Sequence, residues 1–342
     1  MKKQIVVWLF SVVLVLNCAK SDLTLNLYTW ADYISPEVIA AFEKQFNCRV
    51  IIDTFDSNES MYAKIKAGAE GYDILIPSSY MVQVMQQQDM LLMLNPAKLP
   101  NLKNIDENYV RIIFDPQMRF SVPYAVTITG IAYLDGRVTN VQSSWSMFNR
   151  EDLKGRMTML NDMRETIGAA LKFLGFSLNT LNEDELQQAR DVVIRWKRNL
   201  AKFENEQYKT GLASEEFLLV HGYSGDILQV QADNESIQFM VPIEGASVAM
   251  DEMVIPKSAP QVDLAHQFIN YLLEPNVAAE NTEYTTYLFP NRESYRLLPK
   301  ELKENSILFP QQEALANAEV IRDLGENNQK YIKIWDEIKA AK

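Results

Sequence analysis

The stretch Leu23–Phe55, LTLNLYTWADYISPEVIAAFEKQFNCRVIIDTF, decides the fold. LTLNLYTW reads as a strand. SPEVIAAFEKQFN reads as a helix, with Ser35 as its N-cap and Pro36 at the first helical position. Val38, Ile39, Phe42 and Phe46 give that helix one apolar face. CRVIIDTF is a strand again. Strand, helix, strand in this order is a βαβ unit, whose two strands are expected to run parallel. The loop between the first strand and the helix crowds Tyr28, Trp30 and Tyr33 around one carboxylate, Asp32. Two large rings and an acid at a turn suit a binding wall, but taken alone such rings are more often packing residues.

The pattern continues. DSNESMYAKIKAG is a helix whose Asp56 and Glu59 have capping-box spacing. YDILIP is nearly all apolar, as buried parallel strands are, and SYMVQVMQQQ is the helix after it. From about Gly130 a second set begins. GRMTML is a strand, MRETIGAALKFLG a helix stopped by Gly175, and EFLLVH and SIQFMVP are strands. ASVAMDEMVIP makes another strand, followed by the amphipathic helix VDLAHQFINYLLEP. The class is therefore α/β, with two units side by side. Open α/β sheets take ligands at the carboxyl ends of their strands, and a cleft between two units is a preferred place.

Composition bounds the function. A chain of 342 residues suits about two domains, and 47% hydrophobic with 23% charged residues is ordinary for a soluble protein. A net charge of −12 argues against a nucleic-acid partner, which needs clustered Lys and Arg. The N-terminus, MKKQIVVWLFSVVLVLNC, has a basic start and an apolar run from Ile5 to Leu16, too short for a comfortable membrane span. It reads as an export signal over residues 1–17. Cys18 directly behind it fits a lipoprotein signal, with Cys18 acylated as the new first residue. Asn17 stands where a small residue is usual and Val15 where leucine is usual. A plain cleaved signal and an uncleaved anchor are the alternatives. The other cysteine, Cys48, begins a strand and reads as a small apolar core residue.

Motifs for catalysis fall short. There is no GxGxxG, no Walker loop and no HExxH. GYSGD at Gly222–Asp226 approaches a nucleophile elbow, but Asp226 replaces its second glycine. Only His221 and His266 exist, so a histidine triad or multi-histidine metal site is not expected, nor is a cofactor. What remains is acids and rings on loops after strands: Trp30, Asp32 and Tyr33; Ser78, Ser79 and Tyr80; Asp162 and Glu165; and Asp251. Facing carboxylates repel one another, and a bound cation removes that cost. Rings cover alkyl carbons and attract ammonium groups. Acids at separated points with rings between them suit an elongated cation with charged ends. Asp162 and Glu165 also have capping-box spacing, and the helix N-terminus is expected to keep both ionised.

A series of motifs resembles a known family. LYTWADYISPEVIAAFEKQF, SNESMYAKI, GYDILIPSSYMVQVM, SVPYAVTITGIAY, LNDMRETIGAALKFLGFS, EGASVAMDEMVIP and YLFPNRESYRLL follow in order over nearly all of the chain behind the signal. They are similar to the spermidine/putrescine-binding proteins of bacterial polyamine ABC importers. The resemblance implies a two-lobed periplasmic-binding-protein fold that closes on its ligand like a flytrap. Lobe one would take residues 22–126 plus 251–296, lobe two 127–250 plus 297–342, with hinges near 125–129 and 249–251. It implies ligand contacts from Trp30, Asp32, Tyr33, Ser78, Tyr80, Asp162, Glu165, Asp251 and Tyr287. It also implies a monomer in the periplasm that serves a membrane permease, tethered through Cys18 if lipidated. Val220 and Ala249 stand where the family has tryptophans, and the late glutamine of the family has no match near Ile321. Two rings are then missing unless Tyr223 fills a gap. The function expected is capture of putrescine or spermidine; another small cationic solute, or polyamine sensing without transport, are the alternatives.

Overall fold

The computed structural model describes residues 23–110, 113–310 and 315–341. The expected signal segment and Cys18 lie outside the described residues. Ten strands occur among those described: β1 Leu23–Thr29, β2 Cys48–Thr54, β3 Ile74–Leu75, β4 Ser121–Leu134, β5 Met157–Met159, β6 Leu200–Phe203, β7 Leu219–Tyr223, β8 Ile237–Met240, β9 Ser247–Val254 and β10 Glu319–Val320. They follow one hydrogen-bonded order, β2-β1-β3-β9-β4-β7-β5-β6, with β10 beside β9 and β8 beside β4.

The βαβ reading of the first stretch is correct. β1 and β2 pair in parallel from Leu23 opposite Cys48 to Thr29 opposite Thr54. Helix α1, Pro36–Phe46, starts where Ser35 Oγ accepts from the Val38 amide, and it ends at Asn47 in the left-handed conformation. It buries Val38 and Phe42. Cys48 is half-buried beside the first core.

Two strands tie the molecule together. Ser121–Ile128 of β4 pair antiparallel with β9, and Thr129–Leu134 of the same strand pair antiparallel with β7 and β8. One continuous strand thus belongs to two sheet halves. Each half has its own core. Leu25, Leu27, Phe42, Tyr124 and Phe268 lie in the first. Met157, Ile167, Trp196, Leu219 and Trp335 lie in the second. The chain therefore crosses between the cores and returns. The helix Pro275–Thr285 packs Val277 and Ala278 into the first core, and the helix Asn328–Ala340 packs Tyr331, Ile334 and Ile338 into the second. No helix among the described residues is long and apolar enough to cross a membrane.

Two local readings need correction. Helix α2, Asn58–Lys66, is capped by Ser57, whose Oγ accepts from the Ser60 amide at 3.2 Å, not by Asp56. Asp56 accepts from the Ser60 hydroxyl instead, and Glu59 turns away from the box. Tyr28 leaves the loop cluster: it is buried under β1, stacked on Tyr72 at 4.6 Å, because side chains along a strand alternate between faces.

Candidate functional site

A cleft of about 930 Å³, open solvent at its mouth included, runs between the two cores. Both sides supply its walls: Trp30, Tyr33, Ser78 and Tyr80 from the first, and Asp162, Glu165, Tyr223 and Asp226 from the second. β9 passes along it with Ala249 and Asp251. Six lining residues are acidic (Asp56, Asp162, Glu165, Glu206, Asp226 and Asp251) against two basic ones, Arg164 and Lys209.

Asp251 is the centre of this arrangement and is 5% exposed. Its Oδ2 accepts from the Tyr33 hydroxyl at 2.5 Å and its Oδ1 from the Ser78 hydroxyl at 2.6 Å. Ser78 is held in turn: its amide donates to Asn58 Oδ1, and Asn58 Nδ2 donates to its Oγ. Helix α3, Ser79–Gln87, follows directly, so the end of the strand β3 and the start of α3 place Ser78 and Tyr80 at the wall. Burial pushes the Asp251 carboxyl up to about 6 despite both hydroxyls, which favour its charged form. Burial, followed by the Asp251 charge, holds the Tyr33 hydroxyl well above its usual range, so it stays a donor.

The second acidic group stands across the cleft. Asp162 caps the helix Met163–Phe173, accepting from the Arg164 and Glu165 amides at 2.8 and 3.0 Å. Glu165 does not return to complete a box. Its Oε2 accepts from Ser247 Oγ at 2.5 Å and Thr129 Oγ1 at 3.1 Å. The expectation that the helix N-terminus keeps both acids ionised fails for Glu165. Burial first, with Asp162 adding its charge, raises Glu165 to about 8, and burial raises Asp162 as well. A helix terminus contributes roughly 0.3–1 kcal/mol at the surface, less than the cost of desolvating a carboxylate. Arg164 offsets little, because its guanidinium lies over the Tyr331 ring at 4.6 Å and donates to Arg322 O and Asn179 Oδ1.

Glu59 was passed over in the sequence as a capping residue. It accepts from the hydroxyl of Tyr80, a lining residue, at 3.0 Å. Desolvation raises its pKa, and the Asp162 charge adds to this. Two more residues went unread, Asp226 and Lys209. Asp226 Oδ1 accepts from the Tyr287 hydroxyl at 2.9 Å and its Oδ2 from Tyr208 at 2.5 Å. The Tyr287 ring packs against Gly225 in the first turn of the helix Ser224–Gln231, where a Cβ would lie 2.4 Å from the ring and would force it to move.

Of the nine residues expected in the site, eight line the cleft and Asp32 does not. Asp32 has φ 54°, and its side chain meets Lys209 Nζ at 3.7 Å across the rim. Val220 is corrected too. It is fully buried inside β7, and the ring that reaches the cleft is Tyr223, ahead of Gly225. Ala249 and Ile321 do line the cleft, leaving that side apolar and open. Trp30 Nε1, Thr127 Oγ1 and Asn205 Oδ1 are lining residues' polar atoms, buried without a hydrogen-bond partner. His221 and Ser224 form no dyad: His221 is fully buried beside Trp145 with neither ring nitrogen partnered, and Ser224 Oγ accepts from the Ile128 amide. His266 is structural, its ring bridging Val262 O and the Asn95 amide. Among the described residues no group of acids, histidines and cysteines is arranged to hold a metal ion.

The family model of bacterial extracellular solute-binding proteins matches residues 37–310. The chain belongs to this family. Among the relatives of this binding protein, the putrescine/cadaverine-binding protein of Pseudomonas aeruginosa is 33% identical over 92% of this chain and 93% of its own. The spermidine/putrescine-binding periplasmic protein of Escherichia coli is 31% identical over 95% and 94%. Among solved structures, the TpPotD lipoprotein of Treponema pallidum matches the binding protein with a TM-score of 0.84 and 36% identity, covering 92% of this chain and 99% of that one. The spermidine/putrescine ABC transporter substrate-binding protein PotD of Streptococcus pneumoniae matches with a TM-score of 0.81 and 33% identity over 93% and 99%. The two-lobed periplasmic-binding-protein architecture is thereby shown.

Proposed function

We propose that this binding protein captures a polyamine, putrescine or spermidine, outside the cytoplasm and delivers it to an ABC importer. The observation that supports the reading is the set of desolvated carboxyls lining one cleft, Asp251 on β9 with Asp162 and Glu165 from the other wall, burial raising the pKa of each. Such a set is costly when empty and is relieved by ammonium groups. In this reading, Asp251 and the Asp162–Glu165 pair each take one end of the ligand. Trp30, Tyr33, Tyr80, Tyr223 and Tyr287 cover the methylenes, and Ser78 holds Asp251 in place. Asp32 contributes through the field at the rim. The relatives named for polyamines support the ligand class.

Residues 22–126 with 251–296 form lobe one in this proposal, and 127–250 with 297–342 lobe two. The hinges lie at 125–129 and 249–251, where β4 and β9 run side by side. Ligand touching both walls would favour the closed form, which the permease then recognises. No bond is made or broken. The protein is proposed to act as a periplasmic monomer, tethered through acylated Cys18. The lipoprotein nature of the Treponema relative supports that anchor.

Calorimetry on residues 19–342 with putrescine, spermidine, cadaverine, arginine and lysine tests the ligand class. Polyamine binding at micromolar concentration or tighter is expected. Absence of heat and of any melting shift with every polyamine at millimolar concentration would refute it.

A further inference from the structure

One end of the cleft already holds a cation. Lys209 projects from the helix Gln207–Ala213 and is only 14% exposed. Its Nζ lies 3.7 Å from Asp32 Oδ2, 3.7 Å from Glu206 Oε2 and 4.0 Å from Asp226 Oδ1. Asp32 and Glu206 are more than half exposed and solvated, whereas Asp226 is 16% exposed. Asp226 is thus the buried acid of this end, and both of its oxygens already accept tyrosine hydroxyls. Burial works against the Lys209 charge, but Asp226, Glu206 and Asp32 outweigh it and its pKa is raised. Elsewhere in the cleft, Asp162, Glu165 and Asp251 make no ion pair among the described residues; the Arg164 guanidinium donates to Arg322 O and Asn179 Oδ1.

We infer that Lys209 is a resident ammonium that fills the Asp226 end and limits the cleft to two ligand ammonium groups, selecting diamines over triamines. The inference rests on the polyamine reading and adds the number of charges the ligand carries. A third ligand ammonium would have to displace Lys209 or lie against it, and like charges at such range repel. Removing the lysine leaves Asp226 buried without a counter-charge, which is the condition that recruits an external cation.

The test compares putrescine, cadaverine and spermidine by calorimetry on the wild-type protein, Lys209→Met and Lys209→Arg. Wild type is expected to bind putrescine at least about tenfold tighter than spermidine, a modest share of what close charge pairs contribute. Lys209→Met is expected to shift the spermidine-to-putrescine affinity ratio toward spermidine by at least about tenfold, and Lys209→Arg to keep the wild-type ratio. A residue that merely latched the walls together would move all three affinities in step and leave the ratio fixed. An unchanged ratio in Lys209→Met, or a wild type that prefers spermidine, overturns the inference while putrescine binding keeps the polyamine reading intact. The wild-type ratio decides even where the methionine variant does not fold. If no polyamine binds any of the three proteins, the polyamine reading fails and the inference with it.

Discussion

Asp251→Asn separates a binding carboxylate from a structural one. The carboxyl sits at about 6 instead of the usual 3.8 because burial outweighs its two hydroxyl donors. That displacement corresponds to about 3 kcal/mol of penalty on the charged form in the empty cleft. The folded pKa lies above the unfolded one, so the folded protein holds the extra proton between about pH 4 and 6. The contribution of Asp251 to stability is therefore complete in acid and is lost as pH rises through about 6. Asparagine removes this loss. Part of the gain is cancelled, because one amide oxygen cannot accept from both Tyr33 and Ser78. At pH 8 the variant is expected to melt at or above the wild-type temperature. Its putrescine affinity is expected to fall by the cost of truncating a buried charge pair, about 2–5 kcal/mol, or roughly thirtyfold to several thousandfold. Wild-type affinity is also expected to rise between pH 5.5 and 7.5, as Asp251 gives up its proton to make the pair, and the variant to show a shallower rise. Calorimetry at several pH values beside thermal melts reads all of this. An affinity within threefold of wild type at pH 8 refutes the reasoning. So does an affinity loss matched by a collapse in melting temperature, because that outcome marks Asp251 as a structural residue.

Other perturbations follow from the same geometry. Trp30→Ala is expected to weaken putrescine about fivefold to thirtyfold, the worth of one desolvated ring over an ammonium chain, and also to lower stability, because Trp30 packs on the Phe55 ring at 4.4 Å; unchanged heats would place Trp30 among packing residues. Gly225→Ala forces a methyl into the Tyr287 ring and is expected to cost about 1–3 kcal/mol in chemical denaturation, and a neutral outcome would show that the turn can yield. His221 titrates near 3 because burial disfavours its charge, so the unfolded chain takes up a proton first and the fold loses stability as pH falls from about 6.5 toward 3. His221→Leu is expected to flatten that acid limb in pH-dependent melts, and an unaltered slope would contradict the assignment. Native protein is expected to partition into detergent and Cys18→Ala to stay in the aqueous phase; equal partitioning would exclude an acyl anchor.

Much of this was legible from residues alone. Ser35, Pro36 and the Val38–Phe42 spacing wrote α1, and the near-continuous apolar run of YDILIP marked a buried strand, because capping and burial act over a few residues. Asp162 as a cap was equally plain. The helices Glu183–Lys197, Pro275–Thr285 and Asn328–Ala340 went unread, and so did β6. The first two helices carry many polar residues, and their apolar stripes gain meaning only against a core. β4 read as a hinge segment, and its 14-residue span across both sheet halves is a matter of partners far away in the chain.

By itself, the sequence determined the local elements, the α/β class, the acidic balance and which loops carry rings and carboxylates. Those depend on neighbours in the chain. The tertiary structure decided what the loops do. It sent Tyr28 under the strand and Asp32 to the rim, exchanged Val220 for Tyr223, and brought Asp226 and Lys209 to the cleft. Above all it decided the protonation of Glu165 and Asp251. A carboxyl's pKa is set by water excluded and charges faced across the cleft, and neither is encoded near the residue itself.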